Sequence, residues 1–165
     1  MKKLIFVAAM LLCLSLTLSA CSSYRDDVAV TNLASAVFEA VTTQGGYTAA
    51  DADYVSLEFA NASVIDSNVS EWMICASTSS QTVDEFGIFH VKADGDISAV
   101  KQEVESYVQA LQVKLEVYLE NYAPSEKTKL QNAQVFVFGN YVVFTMLTDE
   151  DTAAVKTAVQ TSLKK

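Results

Sequence analysis

The sequence predicts a single α+β domain in which a four-stranded, mainly antiparallel sheet packs with helices, in the order α-α-β-β-α-β-β-α. Three observations predict it. Two pairs of short runs rich in β-branched and aromatic residues, each pair joined by a polar or turn-forming connection, read as hairpins. A segment follows each pair in which apolar residues recur at three- and four-residue steps or acidic and basic ends mark a helix. The stretch 28–165 is ample for one domain with its own hydrophobic core. Two strands followed by a helix, occurring twice, also raise a ββα pseudo-repeat, although the two halves share no residue-level identity.

From Val30, the apolar positions Val30, Leu33, Ala34, Val37, Phe38 and Val41 keep helical spacing, with Asp26 and Asp27 ahead and Gly45 and Gly46 behind as start and stop signals. Thr48 to about Ala60 reads as a second, weaker helix with Tyr54, Val55 and Leu57 inward. Asn61 to Ser70 is rich in Asn, Ser and Asp and reads as a loop. Strands are expected at Glu71 to Thr78 and Val83 to Lys92, joined by Ser79, Ser80, Gln81 and Thr82. The next helix is the clearest element. Ile97, Val100, Val104, Tyr107, Val108, Leu111, Leu115, Tyr118 and Tyr122 hold one face while Lys101, Glu103, Glu105, Lys114, Glu116 and Glu120 fill the remainder. Pro124 ends it, and Ser125 with Thr128 opens a short helical turn through Leu130. Val135 to Phe138 and Tyr141 to Leu147 flank Gly139-Asn140, the chemistry of a two-residue type I′ or II′ turn. Asp149, Glu150 and Asp151 then open a helix that ends at Lys164 and Lys165, in favourable alignment with its dipole. The last hairpin is apolar on both faces, so either helices cover both sides or one face meets a partner.

Ahead of the domain, Lys2 and Lys3 precede an uncharged run from Leu4 to Leu18, the positive and apolar regions of an export signal. The run is short for the roughly 20 residues of a membrane span. Leu18, Ser19, Ala20 and Cys21 look like a lipobox, which implies cleavage before Cys21 and lipid on its thiol. The chain then divides into a signal (1–20), a short tether (21–27) and the domain (28–165). Removing the signal, with Lys2 and Lys3, leaves 145 residues and moves the formal charge from −9 to −11. Neither nucleic acid nor an anionic membrane surface favours so acidic a partner. The lipid supplies the membrane attachment instead, at the outer, extracytoplasmic face. At about 3.3 Å per residue the tether reaches roughly 20 Å. Cys13 leaves with the signal and Cys21 is lipidated, so Cys75 has no partner for an internal disulfide.

Asp84-Glu85-Phe86-Gly87-Ile88-Phe89, the long helix after it, the break at Asn121-Tyr122-Ala123-Pro124, and Gly139-Asn140-Tyr141-Val142-Val143 together resemble a family of small lipoproteins from clostridia and related Gram-positive bacteria. The family is catalogued as a domain of unknown function, DUF4358. The likeness runs from about Val28 to the C-terminus. It implies a single domain at the cell surface and carries no activity, cofactor or site residue with it. Ala123 between the Tyr and the Pro, and the polar, Ala-rich stretch before Glu71, depart from the family's pattern.

Enzyme signatures are sparse. His90 is the one histidine, so no multi-histidine zinc site or H-E-x-x-H helix can be built, and its strand position with Phe86 and Ile88 reads as a packed or edge side chain. G-x-S-x-G, G-x-G-x-x-G and G-x-x-x-x-G-K-[ST] are missing. Asp84 and Glu85 are the most interesting acidic pair. Neighbours on a strand face opposite ways, so they read as a cation-binding or cationic-ligand feature rather than a paired acid and base, with one of them free to point to water. Asp94-Gly95-Asp96 reads as a turn and helix N-cap, since the other ligands of a calcium loop are lacking. Cys75 reads as a buried thiol with no basic neighbour to activate it. Asn61-Ala62-Ser63 and Asn68-Val69-Ser70 match glycosylation sequons but read as loop polarity. Among the aromatics, Tyr107 and Tyr118 are expected in the core, and Trp72, Tyr122 and Tyr141, near element ends, are candidates for an exposed binding surface.

The first expectation is therefore a non-catalytic module that binds an envelope protein or a small ligand at the outer membrane face, without cofactor or metal. The alternative is an enzyme acting on cell-envelope material through carboxylates, which needs two of them converging at about 5 to 9.5 Å.

Overall fold

The structure, a computed structural model, describes residues 24–42 and 46–165. The signal and Cys21 lie outside the described residues. Eleven elements follow in chain order: α1 (Val30–Ala40), β1 (Tyr47–Ala49), α2 (Tyr54–Glu58), α3 (Ala62–Asn68), β2 (Val69–Ser77), β3 (Glu85–Val91), α4 (Ile97–Tyr122), α5 (Lys127–Gln131), β4 (Gln134–Phe138), β5 (Tyr141–Met146) and α6 (Asp149–Leu163). The strands form one antiparallel sheet in the order β1-β2-β3-β5-β4.

The α+β class holds, but the sheet has five strands rather than four. The fifth is Tyr47–Ala49, which falls where a helix from Thr48 was expected. Three residues are too few to show a period, and the strand forms because Tyr47, Thr48 and Ala49 find the open end of β2 at Ser77, Ala76 and Cys75. The Tyr47 ring also meets Phe38 and Phe86 at 5.6 and 5.7 Å between centroids. The expected helix shrinks to the five residues of α2.

The expected loop Asn61–Ser70 is mostly α3, with β2 already begun at Val69. Its polar composition conceals two tertiary partners. Ile65 is fully buried. The Glu103 carboxylate, from α4, accepts from the backbone N–H of Asn61 at 2.7 Å and from its side-chain amide at 3.1 Å. That carboxylate satisfies a helix-start donor which no local side chain reaches. Asn68 is equally occupied: its amide donates to the Val64 carbonyl and its oxygen accepts from the N–H of Asp96.

Side chains alternate across the sheet into two cores. On one face Ile74, Phe89, Val91, Val142, Phe144 and Met146 pack under α2, α3, α4 and α5. On the other, Cys75, Phe86, Ile88, Tyr141, Val143 and Phe138 pack under α1 and α6. Helices thus cover both faces of the apolar hairpin, and its second face needs no partner. The two ββα units, β2-β3-α4 and β4-β5-α6, share their strand arrangement with β3 and β5 innermost, but lay α4 and α6 on opposite faces of the sheet.

Local signals set several boundaries. Asp96 Oδ1 accepts from the N–H groups of Ser98 and Ala99, and Thr148 Oγ1 from that of Asp151, capping α4 and α6. Gly139 has φ 58 and every other described residue outside glycine has negative φ, so the β4–β5 turn carries positive φ at its first central position, the type II′ pattern. The N-terminal stretch expected as tether is partly folded. Tyr24 bridges to Lys164, the Arg25 N–H donates to the Leu163 carbonyl, and the Tyr141 hydroxyl donates to the Val28 carbonyl (2.7 Å) while accepting from its N–H (3.0 Å).

Candidate functional site

β3 begins with a carboxylate on a core-facing position. Glu85 alternates with Gly87, Phe89 and Val91 toward α4, and all four side-chain positions are buried. Taking a carboxylate out of water is costly unless it is hydrogen-bonded. Here Tyr107, from the middle of α4, donates its hydroxyl to Glu85 Oε1 at 2.6 Å, and the Tyr54 hydroxyl lies 2.8 Å from that of Tyr107. Burial pushes the Glu85 carboxyl up to about 7, against the opposing pull of the Tyr107 hydrogen bond and with the charge of Glu58 adding to the rise. Glu85 is therefore an acid that titrates near neutral pH. Burial and the neighbouring Glu85 charge push the Tyr54 hydroxyl up to about 12, and the Tyr107 hydroxyl rises for the same first reason, so both phenols remain donors.

The packing around this chain of oxygens is tight. The Tyr107 ring stacks on Phe59 at 4.4 Å and meets the edge of Phe144 at 5.6 Å. Phe144 sits opposite Gly87 in the β3–β5 ladder, and a Cβ on Gly87 would lie 2.2 Å from its Cε1. The glycine two residues beyond Glu85 is thus the space into which the ring supporting Tyr107 fits.

Asp84 lies just before β3 and, contrary to the expectation that one of the pair points to water, is as buried as Glu85. Lys129, on α5, explains it. Its Nζ is 2.7 Å from Asp84 Oδ1 and 2.9 Å from Glu126 Oε2. Glu126 accepts in turn from the Val83 N–H at 3.2 Å. The ammonium is raised above the ordinary lysine range by these two carboxylates despite the desolvation that opposes it, and Glu126, despite its own desolvation, is held below the usual range by Lys129 and Thr82. Asp84 is fixed in an ion pair with Lys129, while the partner of Glu85 is the neutral Tyr107 hydroxyl.

A cleft of about 220 Å³ opens on the two carboxylates, with Thr82 and Val83 on one wall and Leu115 and Tyr118 on the other. Tyr118 is half-exposed rather than buried in the core as expected, because at this level of α4 the core takes Leu119, one position further on and fully buried, which leaves Tyr118 on the side of the cleft. Tyr122, one turn further, stacks on Tyr118 at 5.4 Å and is largely exposed.

The structure brings together Asp84, Glu85 and, through Tyr118, the candidate Tyr122. It separates the other two candidates. Tyr141 is fully buried and holds Val28, so it belongs to the core and presents no binding surface. Trp72 is half-buried and lines a wider depression of about 610 Å³ beside β1, where Glu71 accepts from the Val30 N–H and so serves the start of α1. His90 stacks on Tyr141 at 4.5 Å, a packed side chain on the face shared with Phe86 and Ile88. Burial raises the Cys75 thiol to about 11, far from a reactive thiolate. Among the described residues no group of three His, Cys, Asp or Glu side chains could hold a metal ion, and no helix is long and apolar enough to cross a membrane. Sequence reasoning missed Lys129, Glu126 and the Tyr54–Tyr107 chain, which reach the site from elements far along the chain.

Chemically, the cleft offers one buried carboxyl poised between protonated and ionised, a hydroxyl relay behind it and an aromatic wall. A family model described as Domain of unknown function (DUF4358) matches residues 63–147. That span begins in α3 and ends just after β5, so it contains Asp84, Glu85, Gly87, Tyr107, Tyr118 and Lys129. No curated protein and no solved structure matches the chain.

Proposed function

We propose, from the premise that this chain belongs to the DUF4358 family, that it is a non-catalytic binding module, anchored at the outer face of the cell membrane by lipid on Cys21, whose cleft takes up a cationic group from a small ligand or an envelope protein. The observation that carries this reading is the buried Glu85 carboxyl at the floor of a cleft walled by Tyr118. A carboxylate left in a low-dielectric site gains most from a counter-charge, and a tyrosine face attracts the same cation. A cleft of about 220 Å³ suits an ammonium head rather than an extended polymer. Acid–base catalysis on envelope polymers fits less well, because Asp84, the second carboxylate in the cleft, is tied to Lys129.

Titration calorimetry with tetramethylammonium and butylammonium as probes tests the cleft. Binding is expected in the wild type and absent in Glu85→Gln, and it should weaken about tenfold per pH unit below 7 as the carboxyl takes up its proton. No heat with either probe at pH 8 removes the cation reading. The anchor has its own test: Cys21→Ser should move the protein from the membrane to the soluble fraction, and a variant that stays in washed membranes shows that lipid on Cys21 is not the attachment.

A further inference from the structure

One edge of the sheet is short, since β1 has only three residues. The other, β4, is Gln134-Val135-Phe136-Val137-Phe138, which carries no charge, no proline and no bulge in its pairing with β5. Edge strands ordinarily bear one of these devices, because a bare edge is a template for another strand. Val137 is 41% exposed at this edge in a chain of net charge −9.

The register says which backbone groups are open. The two-residue turn pairs Phe138 with Tyr141, and alternation directs the N–H and C=O of Phe138, Phe136 and Gln134 toward β5. Those of Val135 and Val137 point outward, where β4 has no neighbouring strand among the described residues. They lie symmetrically about Phe136.

We propose that β4 pairs with β4 of a second copy of this chain, antiparallel about a two-fold axis that passes midway between the two Phe136 residues, joining the two sheets into one. Val135 of each copy then exchanges hydrogen bonds with Val137 of the other, and the two Phe136 residues oppose each other in the non-hydrogen-bonded position. Three observations favour a second copy. The pattern of open groups is its own complement under a two-fold rotation. The strand is uncharged, so two acidic chains meet there without like charges opposed across the seam. Lys156 lies over the Phe136 ring at 5.1 Å, so a cation set against an aromatic face stands beside the middle residue of the seam. The geometry also suits chains held in one membrane. Tyr24 packs edge-on against Phe138 at 5.8 Å in the core under α1 and α6, so the N-terminal segment leaves on that face. A two-fold axis perpendicular to the sheet keeps both N-terminal segments on the same side.

The test uses the full chain in its native membranes. Cα atoms about 4.5 Å apart at a non-hydrogen-bonded pair lie within the range a disulfide spans. Phe136→Cys is therefore expected to yield a covalent dimer on mild oxidation, whereas Val113→Cys, 77% exposed on the outward side of α4, should not. Light scattering of the detergent-extracted wild type should give twice the chain mass. Val137→Pro, which removes an outward N–H without touching the β5 ladder, should give one chain mass with an intact melting transition, and Val137→Lys serves if the proline variant does not accumulate. A single chain mass for the wild type, cross-linking of Phe136→Cys no greater than that of Val113→Cys, or cross-linking chiefly to a different protein overturns the proposal. Cation binding in the cleft is measured separately and survives Val137→Lys in either case.

Discussion

Replacing Glu85 with glutamine should stabilise the protein, and more so as the pH rises. Glutamine keeps an acceptor for the Tyr107 hydroxyl and removes the charge that burial penalises. Between the ordinary carboxyl value of 4.5 and the folded value of about 7, the native protein holds a proton that the unfolded chain has released. Stability therefore falls with rising pH across that window: the contribution of the protonated carboxyl is complete below 4.5 and gone above 7. At 1.36 kcal/mol per unit, the full penalty on the wild type is about 3 kcal/mol at pH 8 and about 1 kcal/mol at pH 5. The advantage of Glu85→Gln should thus widen by about 2 kcal/mol between those values, on the order of 4–8 °C in melting temperature for a domain of this size. Thermal melts of both proteins from pH 5 to 8 at fixed ionic strength measure it, since titrations common to the two cancel in the difference. A constant gap across the range, or a wild type that gains on the variant as pH rises, refutes the placing of an uncompensated carboxyl at the cleft floor.

Gly87→Ala should destabilise by about 3 kcal/mol, because the new Cβ would lie 2.2 Å from a Phe144 ring wedged beside Tyr107. Chemical denaturation should show Phe144→Leu recovering at least 1 kcal/mol of that loss, and strict additivity would mean that the ring is not the obstacle. Tyr141→Phe should cost about 1–3 kcal/mol by leaving both backbone groups of Val28 without their buried partner, with hydrogen exchange accelerated at Val28 ahead of the sheet.

The parts of the fold that were legible in the sequence are those whose signals are local. The long helix α4 repeats its apolar spacing often enough to be unambiguous, Asp96 caps its start by side-chain chemistry alone, and Gly139-Asn140 places the second hairpin. Strand β1 was illegible because its three residues form only against the end of β2. Helix α3 was hidden because a carboxylate 42 positions away, on Glu103, holds its N-cap residue Asn61. The candidate site was half legible. Asp84 and Glu85 stood out, but burial of both depends on Lys129 and Tyr107, which sit 45 and 22 positions away. Tyr118 and Tyr122 carry nearly the same helical phase as the core residues of α4, but Leu119 takes the buried position at that level, a choice that spacing alone does not make. Tyr141 misled because its place near a turn looked peripheral while its partner, Val28, is 113 positions distant.

The clamp that Tyr141, Leu163 and Lys164 place on the chain between Tyr24 and Val28 changes the mechanics of the proposed anchor. With lipid on Cys21, the slack between bilayer and folded protein is only the run from Cys21 to Tyr24, about 10 Å at full stretch rather than 20 Å. A leash that short restricts tumbling as well as distance. On the proposed anchoring, the layer of α1 and α6 that Tyr24 packs in is the one set toward the headgroups, and the Glu85 cleft, on the other face of the sheet beneath α4, is the one set away from them.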